Sequence, residues 1–290
     1  MMRQWRQLIC ILWVAFAASV ATESVAHERL DPQGAISGRV QVTEPLLLPT
    51  LDRSRQLRIY LPPGYHERAD RYPVVYMHDG QNLFDEATSF AGEWGIDETL
   101  DELARTKGTR LIVVGIDNGG DKRTHELNPY DHDKYGKGEG AAYVQDLVNT
   151  IKPYVDRHYR TRPQVQHTLI MGSSLGGLIS HYAALSYPSV FGGAGIFSPA
   201  YWIAEPIFEA TADTGFKRHQ RLYFLMGGAE GDSMVPDFKR MQRLVAASTH
   251  EAQFALVPHG EHREAFWRAQ FLTALSWLLA DGSTAAVASP

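Results

Sequence analysis

The sequence predicts an α/β protein with a mostly parallel central sheet and helices on both faces. Short apolar runs, such as residues 74–77 and 111–116, are typical of strands that are buried on both sides. Amphipathic stretches at helical spacing, such as 93–106, lie between these runs. This alternation favours parallel strands joined by right-handed crossover helices.

The rest of the chain continues this alternation, apart from its N-terminal part. Further strands are expected at 168–171, 193–197, 222–226 and 254–257, and further helices at 143–159, 175–185, 235–247 and after 262. Residues 36–42 and 56–61 instead alternate between apolar and polar side chains, which predicts antiparallel edge strands. Pro153 should kink the helix 143–159 near its end, because proline cannot donate a backbone hydrogen bond.

The composition is that of an ordinary globular protein. The chain has 290 residues, of which 44% are hydrophobic and 21% charged, and we assign 27–280 to one domain and 281–290 to a flexible tail. The net charge is −5. A chain of this charge is not expected to bind nucleic acid.

The first 26 residues have the features of a signal peptide. Arg3 and Arg6 precede an apolar core, and small residues follow it at 19–21 and 24–26, where cleavage is expected. The mature protein would then be periplasmic or secreted, with no membrane attachment, and an uncleaved N-terminal anchor is the alternative. Cys10 is the only cysteine, so export would leave a mature chain without disulfides.

The pattern G-x-S-x-G at 172–176 lies between an expected strand and an expected helix, with Ser174 at its centre. A sharp strand-to-helix turn exposes such a serine, and glycines make room for the turn. Ser174 is therefore the candidate nucleophile. The backbone N–H of Leu175, at the start of the helix, could stabilise negative charge that develops on a substrate oxygen.

The segment that follows the apolar run 74–77 is His-Asp-Gly-Gln. A loop in this position can supply a second N–H to an oxyanion hole, and Gly80 would allow close approach of the backbone to the substrate. We therefore predict the N–H of Gln81 as the second donor. A surface turn without a ligand is the alternative interpretation.

Residues 117–140 form a long polar segment with several basic side chains, which indicates a binding loop. Arg123 is a candidate contact for an anionic part of a substrate, although interleaved acidic residues would also suit a solvated surface of mixed charge. The run 131–133, Asp-His-Asp, does not predict a metal site, because three adjacent residues cannot all face one ion.

Polar residues also follow the later strands. Glu230 comes after the strand 222–226, with Asp232 and Asp237 as competing acids, and His262 comes after the strand 254–257, with His259 as its competitor. The order serine, acid, histidine is that of α/β-hydrolases. It predicts a triad in which a carboxylate orients the histidine that takes the serine proton.

The chain resembles the esterase family of α/β-hydrolases that includes siderophore esterases such as enterochelin esterase, feruloyl and acetyl-xylan esterases, S-formylglutathione hydrolases and mycolyltransferases. The resemblance rests on the segments 76–84, 172–177, 198–202 and 260–267. It implies Ser174 as nucleophile, His262 as base and Glu230 as acid, the last being a departure from the more frequent aspartate. The candidate substrate-binding residues are Asp79, Arg123, Trp202 and Trp267.

These features predict an exported hydrolase of small-molecule carboxylic esters that works through an acyl-enzyme, with no metal or organic cofactor. An acyltransferase of the mycolyltransferase type would use the same residues with a different acceptor. A binding protein on an inactive hydrolase fold is the third possibility. The sequence does not select among ester substrates or predict an oligomeric state.

Overall fold

The computed structural model describes residues 38–246 and 251–280. The expected signal peptide, 1–26, and the expected tail, 281–290, lie outside these residues. The described strands are β1 (Arg39–Val42), β2 (Leu46–Leu48), β3 (Arg53–Arg55), β4 (Leu57–Leu61), β5 (Val74–His78), β6 (Ile112–Ile116), β7 (Thr168–Ser173), β8 (Gly193–Phe197), β9 (Arg221–Gly227) and β10 (Glu251–Val257). The described α-helices are α1 (Ile96–Lys107), α2 (Arg123–Glu126), α3 (Gly140–Asp146), α4 (Lys152–His158), α5 (Leu175–Ser186), α6 (Pro206–Thr214), α7 (Met234–Ala246) and α8 (Glu264–Leu279).

Within this part of the chain, eight strands form one sheet in the order β1-β4-β6-β5-β7-β8-β9-β10. Strand β4 pairs antiparallel with both β1 and β6, whereas the pairs from β6 through β10 are parallel. The predicted parallel sheet with antiparallel N-terminal edge strands is therefore confirmed. The hairpin of β2 and β3, which is separate from this sheet, was not predicted.

Alternate residues of the buried strands point to opposite faces of the sheet, and each face has its own apolar core. Tyr76 of β5 belongs to the core that α3 to α7 cover, whereas the next residue, Met77, belongs to the core under α1 and α8. The all-apolar character of the central strands follows from this double burial. The structure thus confirms helices on both faces.

The helix expected at 143–159 is broken into three parts. Helices α3 and α4 flank a π-helical turn at Leu147–Ile151, and Pro153 is the second residue of α4. Proline lacks the N–H that an α-helix would use here, so a wider turn just before it accommodates the missing hydrogen bond. The disturbance expected at Pro153 takes this form.

Backbone strain is concentrated at the carboxyl ends of the parallel strands. Among the described non-glycine residues, positive φ occurs at Asp52, Asp79, Ser174 and Ser198. The last three come directly after β5, β7 and β8, which lie side by side in the sheet. Non-glycine residues in this conformation cost free energy and often mark functional sites.

Candidate active site

Ser174 occupies the turn between β7 and α5, with φ 59° and ψ −121°. Its N–H donates to the carbonyl of Phe197, 3.0 Å away, which fixes the turn against the neighbouring strand β8. A Cβ on Gly172 would lie 2.7 Å from the backbone of Gly176, so only glycine allows the chain to fold back this tightly. The local geometry is that of a nucleophile elbow.

The two predicted oxyanion donors lie at the ends of adjacent elements. Leu175 is the first residue of α5, and Gln81 is in the 3₁₀ turn Gly80–Asn82 that follows β5. Within the described residues, neither backbone N–H has a protein acceptor. A Cβ built on Gly176 would lie 3.5 Å from Asp79 Oδ2, so the turn after β5 packs close to the start of α5.

Glu230 and His262 form a close pair. The Nδ1 atom of His262 is 2.7 Å from Oε2 of Glu230, whose side chain is completely covered, while the histidine side chain is about one-third exposed. A carboxylate can only accept, so Nδ1 donates to it and Nε2 of a neutral ring is left free to accept a proton. This is the arrangement that a general base needs.

The loops that carry this pair approach each other closely. The N–H of Ala229 donates to the carbonyl of Gly260 at 3.0 Å, and a Cβ on Gly227 would lie 2.3 Å from that same oxygen. The small residues after β9 and β10 therefore allow Glu230 to reach His262. In the described part of the chain, no hydrogen bond joins His262 to Ser174; such bonds are often longer in unliganded enzymes.

The competing acid Asp232 does not take part in this pairing. It lies on the exposed loop before α7, which begins at Met234, so Ser233 rather than Asp232 is the residue directly before the helix.

Asp79 and Arg123 bind each other at the edge of the site. Arg123 donates from Nε to Oδ1 of Asp79 at 2.6 Å and from Nη2 to Oδ2 at 2.8 Å, and the Asn118 amide also donates to Oδ1 at 2.6 Å. Burial alone would raise the pKa of Asp79, but the hydrogen bonds and charge of Arg123 outweigh it, and the pKa is lowered. Asp79 is thus an ionised anchor for Arg123, whose side chain is 29% exposed.

The two tryptophans predicted to bind substrate have different environments. Trp202 is 44% exposed and lies edge-to-face against Tyr135 of the loop 117–140, with ring centroids 5.6 Å apart. Trp267 is only 4% exposed; its ring is perpendicular to His262 at 5.0 Å, and its Nε1 donates to Ser198 Oγ. Trp202 is therefore accessible to a substrate, whereas Trp267 is covered and packs against the histidine ring.

Two polar contacts of the site were not predicted. Ser198 donates to Glu230, and Asn118 holds Asp79. Both residues follow a buried strand closely, as the predicted site residues do, and that position is the sequence signal that could have identified them. Tyr135, deep within the polar loop, has no such signal.

A mostly parallel sheet with a strained serine between a central strand and its helix defines an α/β-hydrolase. The model of the family described as "Putative esterase" matches residues 49–278, and the chain belongs to that family. It is therefore an enzyme that acts on carboxylic esters. No helix in the described ranges combines the length and the apolar character needed to cross a membrane.

Similar proteins are found among curated bacterial sequences and among solved structures. The Bacillus subtilis protein YbbA is 28% identical over 244 residues, which cover 78% of this chain and 92% of YbbA. The iron(III) salmochelin esterase of Escherichia coli is 25% identical over 246 residues, which cover 78% of this chain and 54% of the esterase. Among solved structures, the enterobactin esterase of Shigella flexneri has a TM-score of 0.67 at 19% identity, with 84% of this chain and 58% of that chain covered, and it shows the same fold.

Proposed function

We propose that the protein is an exported serine esterase in which Ser174, His262 and Glu230 form the catalytic triad. The observation that carries this proposal is the 2.7 Å contact between His262 Nδ1 and a fully covered Glu230, on loops beside the strained serine elbow. Strands β7, β8, β9 and β10 are neighbours in the sheet, so the loops after them share one edge.

In the first half of the reaction, Ser174 Oγ attacks the ester carbonyl carbon while Nε2 of His262 takes its proton. The carbonyl oxygen becomes negatively charged and accepts hydrogen bonds from the backbone N–H groups of Leu175 and Gln81. The proton on Nε2 then passes to the departing alkoxide, which leaves as an alcohol. Glu230 stabilises the imidazolium that exists between these transfers, because its negative charge lies against Nδ1–H.

In the second half, water attacks the acyl-enzyme with the same histidine as base, and the acid leaves as Ser174 regains its proton. A sugar or alcohol in place of water would give an acyltransferase, the second candidate function. Added acceptor alcohols would raise the rate of p-nitrophenyl ester turnover and yield new esters if transfer is efficient. Free acid as the main product would favour hydrolysis.

The substrate contacts proposed are Trp202 and Arg123, with Asp79 acting through Arg123 and Trp267 acting through His262. Relatives are named for salmochelin, enterobactin and ferulic acid esters. We propose a related small-molecule ester for this chain. Turnover of ferric catecholate siderophores, feruloylated sugars and short acyl esters by the purified enzyme would identify the class.

The test of the nucleophile compares two adjacent serines. Ser174→Ala should lower kcat by several orders of magnitude, because it removes the hydroxyl on which the acyl-enzyme forms. Ser173→Ala is the matched control, since Ser173 is the last residue of β7, and it should keep most of the activity. Equal losses in both variants, or full activity of Ser174→Ala, would refute the assignment, and an inactive wild type would favour the alternative of a binding protein on a hydrolase fold.

Export is proposed from the N-terminal sequence alone. The mature chain should begin after residue 21 or 26 and should be recovered from the periplasm or medium when the full gene is expressed. N-terminal sequencing of that material is the direct measurement. Recovery of a full-length, membrane-bound chain would support the uncleaved anchor instead.

A further inference from the structure

Ser198 is held in an unusual position directly after β8. It is completely buried and has φ 42°, although it is not a glycine. Its N–H donates to the carbonyl of Leu225 in β9 at 2.7 Å. A strained backbone that persists in a buried residue indicates that the surrounding contacts enforce it.

The Ser198 hydroxyl lies between two groups that fix the direction of its proton. Nε1 of Trp267, 2.9 Å away, can only donate, so Ser198 Oγ accepts from it. Oε1 of Glu230, 2.6 Å away, belongs to a carboxylate that can only accept, so the hydroxyl donates to it. The two bonds therefore run in one direction, from Trp267 through Ser198 to Glu230, and each polarises the next.

Glu230 depends on these contacts because its side chain is shielded from water. Its Oε1 accepts hydrogen bonds from the Ser198 hydroxyl and from the N–H of Gly227, the latter at 2.7 Å. Its Oε2 accepts a hydrogen bond from Nδ1 of His262. A covered carboxylate that loses a donor is stabilised less as an anion and is freer to rotate. Ser198 thus helps to fix the direction of the acid.

Trp267 contacts the catalytic pair at a second point. Its indole N–H reaches Glu230 through Ser198, and its ring packs perpendicular to the His262 ring at 5.0 Å. One side chain of α8 therefore touches the histidine directly and the carboxylate indirectly. Trp267 is itself nearly fully buried, so it cannot adjust freely to a shift in either partner.

We propose that Ser198 and Trp267 are positioning residues for the Glu230–His262 pair. This assignment rests on the proposed function. The hydroxyl and the indole N–H keep the carboxylate aimed at Nδ1 through the catalytic cycle of His262. Neither residue supplies a proton or a hydrogen bond to the reacting ester, so their removal should change kcat far more than KM.

The variant Ser198→Gly tests this role without adding strain. Glycine adopts φ 42° readily, so the turn should be kept and any loss of stability should come from the lost hydrogen bonds rather than from the backbone. Loss of a hydrogen bond to a charged group should nevertheless lower kcat about 10- to 100-fold with KM nearly unchanged. Ser198→Ala should lose a similar factor, because it also lacks the hydroxyl.

Trp267→Phe removes the indole N–H and keeps most of the ring, and it should lower kcat by about 3- to 10-fold. Trp267→Phe should slow the Ser198→Gly variant by a smaller factor than it slows the wild type, since the indole N–H acts through the hydroxyl and only the ring contact with His262 is left to change. The matched control is Ser180→Ala, because Ser180 is also fully buried but donates only to the Gly176 carbonyl within α5. This control should keep nearly full kcat.

A proton NMR readout separates positioning from simple stability. The His262 Nδ1–H in its charge-assisted bond to Glu230 should give a strongly downfield signal, which should shift or broaden in Ser198→Gly and Trp267→Phe but not in Ser180→Ala. An active wild type whose Ser198→Gly variant keeps more than half of kcat and an unchanged signal would overturn the positioning role alone. A wild type inactive on every ester tested would overturn the proposed function and this assignment with it.

Discussion

Acidification is expected to destabilise the protein through His181, which lies in α5, the helix that follows Ser174. This histidine is fully buried. Thr211 donates its hydroxyl to the Ile207 carbonyl at 2.6 Å, so it accepts from His181 Nε2–H, 2.9 Å away. Nδ1 must then be the acceptor for the Tyr201 hydroxyl at 2.8 Å. A second proton on the ring would turn this acceptor into a donor facing another donor.

The size of this destabilisation follows from the pKa of His181. Burial lowers the pKa of His181 to about 3, whereas an exposed histidine has a pKa near 6.5. Between these values the unfolded chain binds a proton that the folded protein excludes. The free energy of unfolding should therefore fall as the pH falls, by about 1.4 kcal/mol per pH unit from this residue alone.

The assay is urea unfolding from pH 6.5 to 4.5, for the wild type and for His181→Gln. The glutamine amide can accept from Tyr201 and donate to Thr211 but does not titrate. Burial lowers the pKa of His78 to about 4, so His78 also lowers the free energy of unfolding as the pH falls. Burial raises the pKa of Asp97 to about 7, so Asp97 has the opposite effect. Both remain in the variant, so the difference between the two slopes isolates His181. Equal slopes would refute the reasoning, whatever the absolute stability of the variant.

Two further substitutions test packing and charge near the site. Gly177→Ala would place a Cβ 2.5 Å from the Phe197 carbonyl oxygen. Although alanine usually stabilises a helix, this clash should lower the free energy of unfolding by about 2 kcal/mol. A raised urea midpoint would contradict this expectation. Glu126→Gln should cost about 3 kcal/mol in the same assay, because it removes the buried carboxylate that pairs with Arg53 and Arg55. An unchanged midpoint for Glu126→Gln would show that the two arginines find other partners.

The sheet and the elbow were predictable because their signals are local. Continuous apolar runs mark strands that are buried on both faces, and the glycines at 172 and 176 bracket the one serine that the strand-to-helix turn can expose. The assignments of His262 and Glu230 as base and acid stay predictions, although the structure brings the two side chains together. Their sequence signals were their positions in the loops after the last two strands and the resemblance to the esterase family.

The contacts that were missed depend on residues distant in sequence. Arg53 of the β2–β3 hairpin pairs with Glu126, 73 positions later, and nothing near either residue indicates the partner. Ser198 and Trp267 are similarly 69 positions apart. Helix α2 has four residues, too few for a hydrophobic period, so its formation depends on tertiary contacts, among them its ion pairs.

Helix α2 also explains how a polar loop can hold Arg123, the proposed substrate contact, in place. Arg123 and Glu126 lie three positions apart, so they are neighbours along the helix. Arg123 binds Asp79 beside the elbow, and Glu126, almost completely buried, binds the arginines of the hairpin. The loop is thus fixed at both ends of this helix by ion pairs. Since Asp79 balances its charge, Arg123 can serve a substrate mainly through the direction of its N–H groups, which a lysine could not reproduce.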